Sequence, residues 1–326
     1  MKKLIWLIIL IVVGVVGVLS YWNSQKSPAD PNNKDAQAFV VQKGEAISSI
    51  ADRLVKAKII RSSFAFRQEL KLTGKGGQIE AGDFKLSPSM SLDEIITNLQ
   101  NGSLDKWVTL LEGWRVEQMA GQLSLELGVK SDEFIKVAKP NEGHLFPDTY
   151  LLNKDATPDT IVSTLKNTFE QKYNPDLKTK IKGLGLTEEQ GIILASVVER
   201  EARSDQVRTN VASILLKRLK MGMALNADAT VQYAKDSQTF AKNGKVDKFW
   251  QPVTQEEYQS VVSTYNTYLH SGLPPAPVCN PSVSSLKAVA NADPKTPYLY
   301  YYHDSKGNSY YAKTLEEHTA NVANHK

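Results

Sequence analysis

The longest run of apolar positions lies at the start of the chain. Residues Leu4 to Leu19 are all apolar or glycine, and Ser20, Tyr21 and Trp22 extend the run to roughly the 20 residues that cross a bilayer. A cleaved signal peptide is the alternative, but its apolar region is shorter and ends in small residues, unlike Val18-Leu19-Ser20. The pattern predicts a retained transmembrane helix in residues 1–22.

Charge and composition around this run predict its orientation. Lys2 and Lys3 precede it, which favours a cytoplasmic N-terminus and an extracytoplasmic remainder. Residues 23–38 are rich in Ser, Pro, Asn, Asp and Lys and lack apolar periodicity. This composition is typical of a flexible stalk.

Short strand-like and helical patterns alternate in the next segment. Phe39-Val40-Val41 is β-prone, and the apolar residues from Ile47 to Leu54 have helical spacing. Ser91 and Glu94 form a capping box for a later helix, which Asn101-Gly102 would end. We predict a small α/β module over residues 39–105, either a LysM-like sugar-binding module or a spacer without a ligand.

A nearly continuous apolar helix ending in two acids is the main chemical feature of residues 106–326. Thr187 is a plausible N-cap, residues 192–198 are mostly apolar, and Glu199 and Glu201 follow. At about 100° per residue the two acids point in different directions, and Glu201 falls in the apolar stripe. Desolvation would raise the pKa of Glu201 and make it a general acid. The alternative is a structural ion pair with Arg203 or Arg208.

The residues around this helix have less specific patterns. Glu199 is expected to be solvated or to support Glu201 without touching the substrate. Downstream, Asp205 would cap a further amphipathic helix, whose basic end, Lys217 to Lys220, is expected to be solvated. Asn226 and Asp228 follow in a polar stretch, where they could simply form a turn.

Two aromatic and polar segments suggest carbohydrate binding. Tyr265-Asn266-Thr267-Tyr268 precedes a Pro-rich loop, and residues 142–150 have a similar mixture. Aromatic rings stack on sugars and amides bind their hydroxyl groups, although a Pro-rich surface connection is the simpler alternative.

Composition excludes several other classes. Of 326 residues, 39 are Lys or Arg and 35 are Asp or Glu. This small excess of positive charge is not typical of a nucleic-acid-binding protein. A single cysteine, Cys279, and five scattered His residues predict neither a disulfide framework nor a metal site.

Five motifs in order resemble the YceG-like (MltG) family of endolytic murein transglycosylases. They are Glu112-Gly113-Trp114, Glu142 to Tyr150, Ala195 to Glu201, Asn226 to Tyr233, and Tyr265 to Tyr268 with Gly272-Leu273-Pro274-Pro275. Two positions depart from the family pattern. Ala229 stands where the family usually has Pro and Ser282 where it usually has Gly, and both are expected to loosen a local turn.

The resemblance implies an α+β fold with a transmembrane helix, a LysM-like module and a larger mixed catalytic domain at 106–326. It implies a lyase that cleaves the β-1,4 MurNAc-GlcNAc bond within peptidoglycan strands, leaves 1,6-anhydro ends and terminates strand elongation. The resemblance also implies that the enzyme needs no cofactor and that Glu201 is its catalytic acid. The expected substrate-binding residues are Glu142, Phe146, Asp148, Tyr150, Asn226, Asp228, Tyr265, Asn266, Thr267, Tyr268 and Asn280.

The same resemblance places the protein in the bacterial cytoplasmic membrane, with peptidoglycan strands as substrate and peptidoglycan synthases as partners. Two alternatives stay open: a muramidase-like hydrolase, and a non-catalytic, membrane-tethered glycan-binding scaffold.

Overall fold

A computed structural model describes residues 2–100, 105–202 and 204–325, with backbone only for residues 2–5, 7–9 and 11. In these residues, helices dominate and short strands pair in three two-stranded sheets. The elements in chain order are α1 (Lys2–Lys26), β1 (Gln37–Val41), α2 (Ile47–Lys56), α3 (Ser63–Thr73), β2 (Gly82–Leu86), α4 (Leu92–Gln100), β3 (Asp105–Thr109), α5 (Val116–Leu127), α6 (Ser131–Ala138), β4 (Thr149–Asn153), α7 (Pro158–Lys172), α8 (Pro175–Gly183), α9 (Glu188–Glu201), α10 (Asp205–Lys220), α11 (Asp228–Asn243), α12 (Glu257–Ser260), α13 (Val283–Ala290), β5 (Tyr300–His303), β6 (Ser309–Ala312) and α14 (Leu315–Asn324).

The chain divides into two compact units. One comprises Met1–Val108 with Tyr150–Ala156, and the other comprises Thr109–Thr149 with Thr157–Lys326. Both units contain helices and antiparallel strand pairs, so the predicted mixed α+β class is confirmed.

The first unit has its core between β1, β2 and helices α2, α3 and α4. β1 runs antiparallel to β2 with Phe39 opposite Phe84, and both rings are buried. The capping box of α4 is present, since the Ser91 N–H donates to Glu94 at 2.7 Å and the Glu94 N–H donates to Ser91 Oγ at 3.3 Å. The predicted stop at Asn101-Gly102 lies outside the described residues. That this unit is LysM-like stays a prediction.

The N-terminal segment is helical from Lys2 to Lys26. Among the residues whose side chains are described, no helix is both long enough and apolar enough to cross a membrane. The predicted span in residues 1–22 includes Met1 and several side chains outside that description, and it stays a prediction. Within the predicted stalk, the Asp30 N–H donates to the Pro88 carbonyl at 3.0 Å, and Pro28 accepts from Arg61 at 2.7 Å.

Helix α9 lies in the core of the second unit. Thr187 caps it as predicted, in a reciprocal capping box with Gln190. Every residue from Gly191 to Val198 is buried, and the helix packs against α8, α10, α11 and α13. Because a helix buried on all sides has a fixed direction, its last residue, Glu201, has a fixed position.

The packing of α8 on α9 requires glycine at position 191. A Cβ there would lie 2.6 Å from Ile181 Cγ2, well inside van der Waals contact. We expect Gly191→Ala to lower the free energy of unfolding by about 2 kcal/mol, because overpacking displaces the helix. Gly121→Ala in α5 is the matched control, since its Cβ would meet nothing within 4 Å. Chemical denaturation compares the two, and equal stabilities would contradict the packing argument.

Helix α10 differs from its sequence-based prediction at both ends. Ser204, not Asp205, is the N-cap, and its side chain accepts a hydrogen bond from the Val207 N–H. At the other end, Arg218 is buried instead of solvated. Its guanidinium donates to the carbonyls of Leu225 at 2.8 Å and Leu299 at 2.7 Å, which are tertiary contacts that the charge pattern alone could not reveal.

Candidate active site

Glu201 ends helix α9, and each of its carboxyl oxygens meets one hydrogen-bond donor. The Ala229 N–H donates to Oε1 at 3.2 Å, and the Tyr301 hydroxyl contacts Oε2 at 3.1 Å. Burial, and then the neighbouring Asp228 carboxylate, raise the pKa of Glu201 to about 7, although both hydrogen bonds and Arg200 act in the opposite direction. A carboxyl with this pKa can both donate and accept a proton near neutral pH.

Glu199 has a different environment, and of the two predicted alternatives the solvated one is wrong, whereas the supporting role stays a prediction. Its side chain is only 4% exposed and pairs with Arg208 at 3.1 Å. Its Oε2 also accepts hydrogen bonds from the backbone N–H and the hydroxyl of Ser282. Arg208 is therefore the partner of Glu199 and not of Glu201, while Arg203, the other partner considered, lies outside the described residues.

Asp228 begins helix α11 beside Glu201 and is held by two tyrosines. The Tyr268 hydroxyl donates to Oδ1 at 2.7 Å, and the Tyr258 hydroxyl lies 3.4 Å from Oδ2. The two phenol rings stack at 4.0 Å between centroids. Burial and the Asp228 carboxylate raise the pKa of Tyr268, so its hydroxyl stays a donor.

Two cavities meet at Glu201. One has a volume of about 500 Å³ and is lined by five tyrosines, among them Tyr258, Tyr268 and Tyr301, together with other residues. The other, of about 440 Å³, is lined by polar groups that include Arg200, Ser204 and Gln232. Glu201, Asp228 and His303 line both cavities. Glu201 is therefore one of three residues that both cavities share.

The structure brings some of the predicted binding residues to this cleft. Asn226, Asp228 and Tyr268 line the tyrosine-rich cavity together with Glu201. Asn226 has a positive φ of 50°, a conformation that asparagine tolerates better than most residues. The other predicted residues do not line either of the two cavities: Glu142, Phe146, Asp148, Tyr150, Tyr265, Asn266, Thr267 and Asn280.

Several of these residues are instead buried in the second unit, where their side chains form hydrogen bonds between loops. Asn280 is fully buried, and its Oδ1 accepts from the N–H groups of Gly143 and Leu145 at 2.8 and 3.0 Å. Glu142 is buried and accepts from Lys139 at 2.6 Å and from the Tyr233 hydroxyl at 2.8 Å.

In the Tyr265–Tyr268 motif, the polar side chains of Asn266 and Thr267 are also buried and hydrogen-bonded within the protein. Asn266 is fully buried, and its amide donates to the carbonyls of Tyr258 and Val261 at 3.1 and 2.9 Å. Thr267 Oγ1 lies 2.9 Å from the Thr230 hydroxyl. The motif thus holds Tyr268 in place, and only Tyr268 reaches the cleft.

The remaining predicted residues lie elsewhere. Phe146 is buried in the main core, and Tyr265 packs against Tyr233 with 4.7 Å between ring centroids. Asp148 is exposed, with Oδ1 accepting from the Thr149 N–H at 2.8 Å. Tyr150 is buried in strand β4.

Sequence reasoning missed the cleft residues contributed by β5 and α14. Tyr300, Tyr301, Tyr302 and His303 from β5 and His318 from α14 line the tyrosine-rich cavity. The available signal was the density of aromatic residues between 298 and 303, in a β-prone run. That signal predicts a strand, but only the tertiary fold places Tyr301 against Glu201.

The two departures from the family pattern both lie where a helix begins, and the expected loosening of local turns stays a prediction. Ala229 lies in the first turn of α11, and Ser282 is the N-cap of α13, where its side chain accepts from the Ser285 N–H. Ser282 has φ −71°, which any residue adopts without strain. Neither position requires the residue that the family pattern has there.

Known proteins resemble the chain over most of its length. An endolytic murein transglycosylase of Bacillus subtilis is 32% identical over 327 residues, which is 90% of this chain and 86% of that protein. An endolytic murein transglycosylase of Streptococcus pneumoniae is 26% identical over 91% of this chain, and the match spans only 60% of that longer protein.

A solved structure and a family pattern also match the chain over most of its length. A structure described as a yceG-like protein of Listeria monocytogenes matches with a TM-score of 0.59 and 25% identity, covering 88% of this chain and 99% of that one. The pattern of the YceG-like family matches residues 39–324. The predicted resemblance is therefore confirmed, and the chain belongs to the YceG-like family.

Proposed function

We propose that this protein is an endolytic murein transglycosylase, a lyase that cleaves peptidoglycan glycan strands internally without consuming water. The prediction of an enzyme of this class is confirmed by relatives that carry this name over most of the chain. The observation that carries the proposal for this chain is the position of Glu201, a carboxyl with a pKa of about 7 that lines two adjoining cavities.

The extent of the cleft supports cleavage within a strand. An enzyme that trims strand ends needs a cavity closed on one side of the bond, whereas internal cleavage needs room for sugars on both sides. Cavities of about 500 and 440 Å³ meet at Glu201. The tyrosines of the larger cavity offer faces and hydroxyls to sugar rings, and the polar groups of the smaller one offer hydrogen bonds.

The proposed reaction uses Glu201 twice at the β-1,4 bond between MurNAc and GlcNAc. Protonated Glu201 donates its proton to the glycosidic oxygen as the bond from C1 of MurNAc breaks and the GlcNAc 4-hydroxyl leaves. The C6 hydroxyl of the same MurNAc then bonds to C1, and its proton passes to the Glu201 carboxylate. The products are a 1,6-anhydro-MurNAc end and a GlcNAc end, and the enzyme returns to its starting protonation state.

One carboxyl can perform both steps because the nucleophile belongs to the substrate. An intramolecular hydroxyl has a high effective molarity, so no second carboxylate has to activate water, as hydrolytic glycosidases require. Asp228 is poorly suited to that second role, because both of its oxygens already face tyrosine hydroxyls. Its negative charge can instead stabilise the oxocarbenium-like transition state.

We further propose that the enzyme is anchored in the bacterial cytoplasmic membrane with a cytoplasmic N-terminus. The apolar run from Leu4 to Leu19 and the preceding Lys2 and Lys3 support this topology. An anchored enzyme would act on newly made strands, terminate their elongation and work beside peptidoglycan synthases.

Product analysis tests the proposed activity. Purified glycan strands are incubated with the enzyme, and the fragments are separated and weighed by mass spectrometry. We expect internal fragments whose MurNAc ends are lighter by one water than hydrolysis products. Reducing MurNAc ends would indicate a muramidase, and binding without fragments would indicate a glycan-binding scaffold. Either result would overturn the proposal.

A further inference from the structure

The two oxygens of Glu201 face donors of different kinds. Oε1 accepts from the backbone N–H of Ala229 at 3.2 Å, and Oε2 lies 3.1 Å from the Tyr301 hydroxyl. A backbone N–H can only donate, whereas a hydroxyl can rotate and either donate or accept. The carbonyl oxygen of a neutral carboxyl is a better acceptor than its hydroxyl oxygen, so the Ala229 N–H favours Oε1 as the unprotonated oxygen, while a proton on Oε2 could be accepted by Tyr301.

The position of Ala229 fixes this asymmetry. Ala229 is the second residue of α11, where the first backbone N–H groups of a helix have no partner within the helix. The Glu201 carboxyl supplies that partner. Proline, which the family resemblance places here, has no N–H, so this contact depends on the residue that this chain carries.

We propose that the backbone N–H of Ala229 fixes the transferable proton of Glu201 on Oε2 and favours the ionised carboxylate that the second chemical step requires. This inference rests on the proposed function, because it assigns the proton of the same catalytic acid. The Tyr301 hydroxyl would accept a hydrogen bond from Oε2–H before the proton leaves and donate one to the carboxylate afterwards. Tyr301 keeps its own proton, because burial and the adjacent Glu201 raise its pKa.

Other charged and titratable groups around Glu201 act on its pKa independently of Ala229. Asp228 on α11 raises it, and Arg200 on α9 lowers it. His303 on β5, and Arg218 on α10, line the same cleft. A substitution at position 229 removes none of these charged groups, and a variant that keeps the local backbone conformation therefore reports the lost N–H.

The test compares pH profiles of kcat/KM for the full-length wild-type protein, Ala229→Pro and Ala229→Gly. Proline removes the N–H and glycine keeps it. Without the hydrogen bond the carboxylate is less stable, so the alkaline limb, which follows loss of the Glu201 proton, is expected to move up by about one pH unit in Ala229→Pro. Because Ala229→Gly keeps the N–H, the alkaline limb of its profile is expected to lie at the same pH as that of the wild type, whatever its overall rate.

A second variant covers the case in which proline distorts the helix, since proline also restricts Asp228 before it. Replacing Ala229 by L-lactic acid exchanges the N–H for an ester oxygen and keeps the methyl side chain. The Glu201 carboxyl is then titrated by ¹³C NMR, with Glu201→Gln identifying its signal. An unchanged Glu201 titration in the ester variant would overturn the proposal.

These readouts separate this inference from the proposed function. The NMR titration needs no turnover, so it decides the role of Ala229 even if no anhydro product forms. Conversely, a wild-type enzyme that forms anhydro product, with unshifted profiles in both N–H-deficient variants, would reject only the role of Ala229.

Discussion

Glu201→Gln is expected to lower the rate of anhydro-product formation by about 1,000-fold or more, because the amide can neither donate the proton nor accept it later. The fold should be retained. Glutamine can keep both contacts, since its oxygen accepts from the Ala229 N–H and its amide donates to the Tyr301 oxygen. Glycan binding is therefore expected to persist while turnover disappears.

Two measurements check this result. Mass spectrometry of digested strands reports turnover, and thermal unfolding reports stability, which should equal or exceed that of the wild type because a desolvated carboxyl is removed. Anhydro product at the wild-type rate from a folded Glu201→Gln variant would refute the assignment of Glu201 as the acid.

Glu199→Gln, two positions earlier, is expected to lower the stability of the protein and to leave its chemistry intact. Removing one partner of a buried ion pair leaves Arg208 without its full charge compensation, and we expect the free energy of unfolding to fall by about 3 kcal/mol. The chemistry should persist in folded molecules, because Glu199 contacts Arg208 and Ser282 and lines neither cavity.

Glu189→Gln provides the matched control on the same helix. Its side chain is 52% exposed, and it contacts His144 at 3.1 Å. An exposed pair of this kind contributes little, so the free energy of unfolding should change by less than about 0.5 kcal/mol. Chemical denaturation compares the three proteins. If Glu199→Gln were as stable as Glu189→Gln but inactive, Glu199 would belong to the chemistry.

Local sequence signals predicted the elements that depend on local physics. The Thr187 cap, the buried helix that follows and the strand at residues 39–41 all appear in the structure, because capping and periodicity are properties of short segments. The position of Glu201 in the apolar stripe also predicted a raised pKa correctly.

The failures share one physical cause, which is that tertiary contacts decide them. Helical geometry separates Glu199 from Glu201, but it cannot show that α10 and the start of α13 cover Glu199 as well. Similarly, Asn266 and Asn280 have side chains suited to sugars, yet both bond to backbone groups. Asn266 donates to the carbonyl of Val261, five residues earlier, and Asn280 accepts from the N–H of Gly143, 137 residues away. A polar residue in a motif can be required for loop geometry as readily as for a ligand.

Tyr301 follows Glu201 by one hundred positions along the chain, and this separation has a consequence for biosynthesis. Translation proceeds from the N-terminus, so the acid leaves the ribosome well before its hydroxyl partner. A molecule arrested anywhere between these two positions carries the glutamate without the tyrosine. Incomplete or prematurely terminated copies therefore lack the assembled pair and the part of the cavity wall that β5 and α14 contribute.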